Sequence, residues 1–304
     1  MPIAIQKIHA FTGHEGSVYA LEQGEQPEVF FSGSSDKMVT AWNLKPDHAP
    51  RAIVNVGSII YSIRHIPEKK LMLIGVSGGG MHVVDLKKKQ EIKFLVHHKA
   101  GIFDIAASVN LNRVYTASGD GSIAMWSLDD FQLERTLTVC KEKVRAVCLN
   151  KDESELALAS GDGFIRILDP VSLEEKVAFK AHDLSANSLM YHPTADVLLS
   201  GGRDAHLNIW DSKSFQLLQS IPAHNYAIYS LQFSPDGKYF ATASRDKTVK
   251  IWDAESFQIL SRIDKEKNQG HVNSVNKILW SAFNNYLIST GDDRAIMVWK
   301  IEEV

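Results

Sequence analysis

Histidine, aspartate and serine or threonine recur together along this 304-residue chain, and these residue types carry nucleophilic and acid–base chemistry. Each histidine precedes an aspartate by 22 residues, with the hydroxyl residue four before that aspartate and a tryptophan six after it. Five such tetrads occur: His14, Ser32, Asp36 and Trp42; His98, Thr116, Asp120 and Trp126; His182, Ser200, Asp204 and Trp210; His224, Thr242, Asp246 and Trp252; His271, Ser289, Asp293 and Trp299. An active site needs one copy in one cleft, so five copies indicate a structural role.

Other chemical motifs in the chain are weaker. The stretch GVSGG at 75–79 has the form of a nucleophile elbow, but a strand-like MHVVDL follows where a helix is required, so Ser77 is predicted in a turn. Cys140 stands where a tetrad histidine would be and is interpreted as a filler, not a nucleophile. No phosphate-binding glycine loop, C-x-x-C or H-E-x-x-H occurs, so we expect no cofactor and no metal.

Composition narrows the class of protein. Apolar residues make up 44% and charged residues 23%, a globular balance, and the net charge of −3 disfavours nucleic acid as a partner. Two cysteines suit a reducing compartment, so a cytoplasmic location is expected. The sequence shows no secretory signal and no run of 18 apolar residues, so no membrane association is expected.

The tetrads must be positioned by a repeating element of 42 residues. Seven units tile the chain, with one five-residue insertion near DKEKNQ at 264–269. The second unit replaces the whole tetrad with Val56, Ile74, Gly78 and Val84, and the fourth keeps only Asp162 beside Cys140, Leu158 and Leu168. Joint loss predicts that the four side chains form one buried hydrogen-bonded cluster, because removing one member would strand the others at roughly 1–3 kcal/mol each.

Short β-strands fill each unit. KYFATAS at 238–244 and TVKIWD at 248–253 are rich in β-branched and aromatic residues and are bounded by turn residues. Four such strands per unit are typical of a propeller blade. The fixed register of His, Ser/Thr, Asp and Trp, with Trp-Asp at 210–211 and 252–253, resembles the WD-repeat (G-beta-like) β-propellers. The resemblance implies an all-β fold with seven four-stranded blades.

The N-terminal segment is predicted to close the ring. After Trp299 too few residues remain for an outermost strand, whereas residues 4–10 align with the outermost strand at 214–220. We therefore expect the N-terminus to complete the seventh blade, with Ile3, Ile5, Ile8 and Phe11 as its apolar residues. The prediction is a single domain over 1–304, with blades near 14–56, 57–97, 98–139, 140–181, 182–223, 224–270 and 271–304 plus 1–11.

Two residue columns stand out beside the tetrads: the residue five after each histidine slot and the residue just before each aspartate slot. In propellers that this chain resembles, both columns line the mouth of the central channel, where peptides and partner proteins dock. Carried over, the candidate partner-binding residues are Tyr19, Tyr61, Phe103, Arg145, Arg203, Tyr229, Arg245 and Asp292. Aromatic residues and arginine are enriched in interface hot spots. The alternative is that the aromatic side chains merely fill space between blades.

These features predict a non-catalytic scaffold or adaptor, not an enzyme. The expected partner is a protein or peptide with acidic or phosphorylated groups, because the arginine fork suits carboxylate and phosphate. A monomeric propeller within a complex is expected. Two alternatives remain open at this point: a propeller hydrolase or lyase with a site at the channel mouth, and a structural subunit of a larger assembly, which a large exposed apolar patch on the side would favour.

Overall fold

A computed structural model describes residues 3–303, which form seven four-stranded antiparallel sheets. The first strand of each sheet contacts the first strands of the two neighbouring sheets, and the contact between sheets one and seven completes the cycle. The molecule is therefore a closed seven-bladed β-propeller whose innermost strands surround a central channel. The predicted fold class is confirmed.

The strands fall into blades in chain order. Blade 1 contains β2 (Val18–Gln23), β3 (Val29–Ser34), β4 (Met38–Asn43) and β5 (Arg51–Asn55); blade 2 contains β6 (Ile60–Ile66), β7 (Leu71–Val76), β8 (Gly80–Asp85) and β9 (Gln90–Val96). Blade 3 contains β10 (Ile102–Ser108), β11 (Arg113–Ser118), β12 (Ser122–Ser127) and β13 (Leu133–Thr138); blade 4 contains β14 (Val144–Leu149), β15 (Leu156–Ser160), β16 (Phe164–Leu168) and β17 (Glu175–Lys180).

Blade 5 contains β18 (Ala186–Tyr191), β19 (Val197–Gly202), β20 (His206–Asp211) and β21 (Leu217–Pro222); blade 6 contains β22 (Ile228–Phe233), β23 (Tyr239–Ser244), β24 (Val249–Asp253) and β25 (Ile259–Ile263). Blade 7 contains β26 (Val275–Trp280), β27 (Leu287–Gly291), β28 (Ile296–Glu303) and β1 (Ile3–Phe11). A 3₁₀ turn (Pro67–Lys69) follows β6, and helix α1 (Lys265–Asn268) occupies the predicted insertion, where the carboxylate of Asp264 accepts a hydrogen bond from the Lys267 amide. Among residues 3–303, no helix is long and apolar enough to cross a membrane.

The hydrophobic core is divided among the interfaces between blades. Alternate residues of a strand face the two neighbouring blades, because successive side chains point to opposite faces of a sheet. Leu207 and Ile209 of blade 5, for example, pack with Phe240 and Trp252 of blade 6 in one buried cluster. Each blade therefore depends on its neighbours for burial, which is why an unclosed ring would leave one blade face in water.

Strand β1 closes the ring as predicted. It pairs antiparallel with β28 from Ile3 opposite Glu303 to Phe11 opposite Ile296. Of its four apolar residues, Ile3, Ile5 and Phe11 are half-buried, whereas Ile8 is 38% exposed. The pairing register shifts between Lys7 and His9, so Ile8 is the extra residue of a bulge and leaves the regular alternation.

A bulge also interrupts the innermost strand of every blade. In blade 1, Val18 pairs with Ser34 and Ala20 with Gly33, so Tyr19 is an extra residue with no partner across the strand pair. The same register shift occurs at the equivalent position of the other six blades. Since a bulge re-aims the side chain of its extra residue, one predicted mouth column owes its direction to this backbone feature.

Candidate functional site

Each complete tetrad forms a chain of hydrogen bonds inside its blade. In blade 6, the Trp252 indole nitrogen donates to the Thr242 hydroxyl at 3.0 Å, and the hydroxyl lies 2.7 Å from Nε2 of His224. The other ring nitrogen, Nδ1, lies 2.9 Å from the carboxylate of Asp246. The neutral imidazole protonated at Nδ1 satisfies all three contacts, because it accepts from the hydroxyl and donates to the carboxylate.

The other four tetrads repeat this geometry. The distance from histidine Nδ1 to the aspartate carboxylate is 2.7 Å in blade 1, 3.3 Å in blade 3, 3.0 Å in blade 5 and 2.8 Å in blade 7. The corresponding distances from tryptophan to the hydroxyl are 2.7, 3.1, 2.9 and 2.8 Å. The aspartate also accepts from the amide of the residue after the histidine in each blade, so it ties the start of the innermost strand to the turn before the third strand.

Electrostatics favour a neutral histidine in the tetrads of blades 3 and 6 and a charged aspartate in all five tetrads. Burial lowers the pKa of His98 and of His224 although each faces a carboxylate. Burial acts to raise the pKa of Asp246, but hydrogen bonds from His224, the Thr248 hydroxyl and the Asn225 amide outweigh it and lower the pKa. The pKa of Asp120 falls to about 2, because hydrogen bonds from Ser122 and backbone amides outweigh burial.

The two atypical blades replace the cluster differently. In blade 2, Ile74 and Val84 are buried among apolar side chains. In blade 4, Leu158 and Leu168 are fully buried, while Asp162 forms a two-bond ion pair with Arg166 at 2.6 and 3.2 Å. Arg166 lies four residues further along the chain, so the pair was visible in the sequence.

The central channel holds a cavity of about 700 Å³. Of the predicted mouth residues, six line it: Tyr19, Tyr61, Phe103, Arg145, Tyr229 and Asp292. All six are half-buried. Each therefore presents part of its surface to the channel and part to the surrounding blades.

Aromatic side chains of blades 1 to 3 form a continuous arc. The rings of Tyr19 and Tyr61 lie 5.5 Å apart, and those of Tyr61 and Phe103 lie 5.3 Å apart. Tyr61 packs closely over Gly101, where an added Cβ would lie 2.8 Å from the ring. The rings therefore fill space between blades and also line the cavity. Tyr229 is set apart from this arc by blade 7.

Arg145 extends the arc on blade 4. Its guanidinium carbon lies 4.6 Å from the centre of the Phe103 ring, a cation–π distance. Burial lowers its pKa, and the nearby charge of Arg203 acts in the same direction. Its Nε is buried without a hydrogen-bond partner among residues 3–303. The channel therefore holds a fixed positive charge with donor capacity left over.

Three predicted mouth residues, Arg203, Arg245 and Asp292, lie outside the aromatic arc. Arg203 and Arg245 are exposed on the rim and do not line the cavity. The guanidinium of Arg245 lies 5.8 Å from the ring of Tyr226, which is 59% exposed. Asp292 accepts a hydrogen bond from Asn276 at 2.8 Å, so its charge is already partly engaged.

Two further residues of this surface, Lys143 and Tyr226, were not predicted from the sequence. Lys143 lines the channel, and its Nζ lies 5.8 Å from the Phe103 ring. Tyr226 stands on the rim beneath Arg245. Each stands in a column that small or polar residues dominate, three and two positions after the histidine slot. That departure from the column was the available signal.

The lining of the channel also includes a second set of charged residues. Nη1 of Arg64 lies 3.5 Å from the carboxylate of Glu22, and its Nε donates to the carbonyl of Ile105 at 3.0 Å. Asp104 accepts from the Val147 amide at 3.1 Å, which links blade 3 to blade 4. These groups are paired with one another or with the backbone, so they brace the inner strands.

Comparison with known proteins identifies the family to which the repeats belong. The model of the "WD domain, G-beta repeat" matches residues 5–43, 89–127, 174–211, 215–253 and 264–300, which together cover more than half of the chain. This chain belongs to the WD-repeat family. Each matched stretch ends one residue after a tetrad tryptophan, and the unmatched stretches contain the incomplete tetrads of blades 2 and 4.

Curated relatives of this WD-repeat chain are distant. It is 24% identical to WD repeat-containing protein 90 of Xenopus tropicalis over 43% of this chain and 8% of that protein. It is 27% identical to human WD and tetratricopeptide repeats protein 1 over 52% of this chain and 25% of that protein. It is 24% identical to the U5 small nuclear ribonucleoprotein 40 kDa protein of Dictyostelium discoideum over 65% and 44%. The chain therefore matches less than half the length of each of these relatives.

The residues that the sequence offered for catalysis or metal binding can now be located in this WD-repeat propeller. Ser77 lies in the turn between β7 and β8, as predicted, with no helix after it. Within residues 3–303, no group of three histidine, cysteine or acidic side chains is arranged to hold a metal ion. Burial raises the pKa of the Cys140 thiol and of the Cys148 thiol, which disfavours the reactive thiolate.

Proposed function

We propose that the protein is a scaffold whose channel mouth binds a peptide segment of a partner protein. The observation that carries this proposal is the arc of Tyr19, Tyr61 and Phe103, continued by Arg145 with an unpartnered Nε. Aromatic side chains offer large contact area with few rotatable bonds, so ordering them on binding costs little entropy. Because Nε of Arg145 has no hydrogen-bond partner among residues 3–303, a carboxylate or phosphate of a bound segment can accept a charge-assisted hydrogen bond from it.

The chemistry of the partner follows from the charges around the mouth. Lys143 and Arg145 lie inside the channel, with Arg203 and Arg245 on the rim. The single carboxylate among the lining residues predicted from sequence, Asp292, is bonded to Asn276. We propose that the bound segment carries an apolar anchor that contacts the aromatic arc and a carboxylate or phosphate that contacts the arginines. The two free thiols fit the reducing cytoplasm as the proposed location.

Binding by mouth variants tests the proposal. A partner is first isolated by pull-down from the native cell, and its affinity for each variant is then measured by titration calorimetry. We expect Tyr61→Ala and Arg245→Glu each to weaken binding by at least about 1–2 kcal/mol, which is the hot-spot range. The effect of Arg245→Glu should shrink at high salt, because exposed charges are screened there.

Melting curves and a matched control separate binding from stability. Arg245→Glu should melt close to the wild type, because its side chain is exposed, whereas Tyr61→Ala should melt at a lower temperature, because the half-buried ring packs over Gly101. The control is Lys213→Ala, an exposed cation at the outer edge of blade 5 whose loss should leave binding unchanged. Normal binding by both mouth variants, with loss of binding in a side-face or opposite-rim variant, would show that the mouth is not the docking surface.

A further inference from the structure

In blades 3, 5 and 6 the outer cleft toward the preceding blade is filled by two apolar side chains of the later blade. One is the tetrad tryptophan, and the other lies five residues further on, in the turn before the outermost strand. The pairs are Trp126 with Phe131, Trp210 with Phe215, and Trp252 with Phe257. Each of these turn residues has a positive φ between 54° and 59°, so the backbone sends its side chain back into the cleft.

Blade 4 fills its cleft without a tryptophan. Leu168 and Leu173 occupy the two positions and are buried. Tyr115 of blade 3 completes the packing, and its hydroxyl donates to the carbonyl of Pro170 at 2.7 Å. Loss of the tetrad therefore does not by itself leave an open cleft.

Blade 2 lacks both filling residues. The tryptophan position holds Val84, and the turn position holds Lys89, which keeps the same backbone conformation with φ 56° but is exposed. A cavity of about 910 Å³ lies here between blades 1 and 2. We call it the blade 1–2 groove; Phe31, Val54, Val84 and Leu86 are among its apolar lining residues. The groove is open where blades 3 to 6 are filled by a bulky side chain.

The rim of the blade 1–2 groove is basic. Arg51, Lys87 and Lys89 line it, are exposed, and form no ion pair within the described part of the chain. The acidic residues of the lining are already engaged, because Glu25 pairs with Lys70, and Glu91 contacts Nδ1 of His82 at 2.9 Å. Net positive charge therefore remains beside an apolar recess.

An exposed apolar stripe continues from the groove along β9. Ile92, Phe94 and Val96 are 39%, 50% and 70% exposed. Phe94 stacks on His82, with ring centres 4.2 Å apart. The lining segments 25–29 and 84–91 come from turns at the ends of the strands opposite the tetrad turns. The groove is thus separate from the channel mouth.

We propose that the blade 1–2 groove docks a segment of a partner protein that carries one bulky aromatic anchor flanked by acidic residues. The anchor takes the place of the side chain that blades 3, 5 and 6 supply from their own turn. The flanking carboxylates pair with Arg51, Lys87 and Lys89. The site is independent of the channel mouth and lies on the opposite side of the ring.

The probe is a fluorescein-labelled peptide of sequence Glu-Asp-Trp-Asp-Glu, with Glu-Asp-Ala-Asp-Glu as its matched control, and binding is followed by anisotropy. We expect saturable binding of the tryptophan peptide to the full chain, and at least tenfold weaker binding of the alanine peptide. Lys89→Phe should abolish binding, because it restores the filling residue found in blades 3, 5 and 6. The same variant should melt at a higher temperature, since phenylalanine is already accommodated at the equivalent positions.

Charge and location have their own variants. Lys87→Glu should weaken binding at least tenfold while leaving the groove open, and Tyr61→Ala in the mouth should leave binding unchanged. The proposal is overturned if the tryptophan peptide shows no saturable binding at millimolar concentration, or if Lys89→Phe binds as well as the wild type. Loss of binding in Tyr61→Ala would show that the probe binds in the channel mouth and not in the groove, which contradicts the proposal. Concentration-dependent dimerisation that Lys89→Phe removes would identify a second copy of the chain as the occupant, which also overturns the proposal.

Discussion

The hydroxyl of each tetrad is the residue-scale link on which the cluster depends. The oxygen of Thr242 accepts from Trp252 and lies within hydrogen-bond distance of His224, so one small side chain satisfies two large ones. None of the four groups in the cluster can be removed without stranding a buried donor or acceptor. This dependence explains why blade 2 lost all four together.

Aspartate replacement in two blades tests the dependence. Asp246→Ala should lower the free energy of unfolding by about 2–3 kcal/mol, because it strands His224 and the turn amides. Asp162→Ala should cost less, about 1 kcal/mol, because Arg166 keeps a second carboxylate, that of Glu175, at 3.6 Å. Urea denaturation of both variants gives the comparison. Equal losses at the two positions would contradict the cluster.

At the scale of elements, strand β1 connects blade 7 to both neighbouring blades. It pairs with β28 along nearly its whole length and supplies Ile3 and Ile5 to the interface with blade 6. Phe11 packs against Trp42 of blade 1, with ring centres 5.2 Å apart. One strand therefore joins the last blade to both of its neighbours.

Removal of residues 1–11 should open the ring. Ile3, Ile5 and Phe11 are half-buried, so each contributes part of the roughly 1.5–3 kcal/mol of a fully buried apolar side chain. That loss, together with the lost strand pairing, is a large share of a net stability of about 5–15 kcal/mol. We expect a product that is insoluble or melts well below the wild type in calorimetry. A truncated chain that melts at the wild-type temperature would show that β1 is not needed for closure.

Elements were predictable where a repeat made them visible. The five tetrads, the strand count and the closure by the N-terminal segment followed from columns of identical residue types. The bulge at Tyr19 did not, because a one-residue register shift leaves no compositional mark. The blade 1–2 groove was not predicted, because an apolar valine at the tryptophan position gives no sign of an open cleft. The available signal was the turn column, which reads Asp47, Lys89, Phe131, Leu173, Phe215 and Phe257.

At the scale of the whole molecule, each tetrad contributes to the pH dependence of the free energy of unfolding, and these contributions add over the blades. The tetrad aspartates have a lowered pKa, so the stability that they contribute is present above about pH 4 and is lost as the pH falls through their folded pKa. His98 and His224 also have a lowered pKa in the folded protein. Below about pH 6.5 the unfolded chain therefore binds protons at these histidines more readily than the folded protein does, which lowers the free energy of unfolding. Glu22, whose pKa is raised by burial, acts in the opposite direction as a single group.

Unfolding should therefore become easier in acid. We expect the free energy of unfolding to fall by about 1–3 kcal/mol between pH 7 and pH 4, since one pKa unit corresponds to about 1.4 kcal/mol. Urea midpoints at four pH values in this range provide the measurement. Asp162→Ala leaves all five tetrads intact and should show the same slope. A midpoint that stays constant or rises on acidification would refute this reading of the clusters.

The antiparallel pairing of β1 with β28 has a mechanical consequence. Ile3 lies opposite Glu303, so the two ends of the described chain leave the same blade side by side. A force that pulls these ends apart loads the hydrogen bonds one pair at a time, from Ile3 toward Phe11, and not all together. Thermal opening of the ring must break the whole β1–β28 strand pair. Tension applied at the two chain ends should instead separate this pair at a modest force.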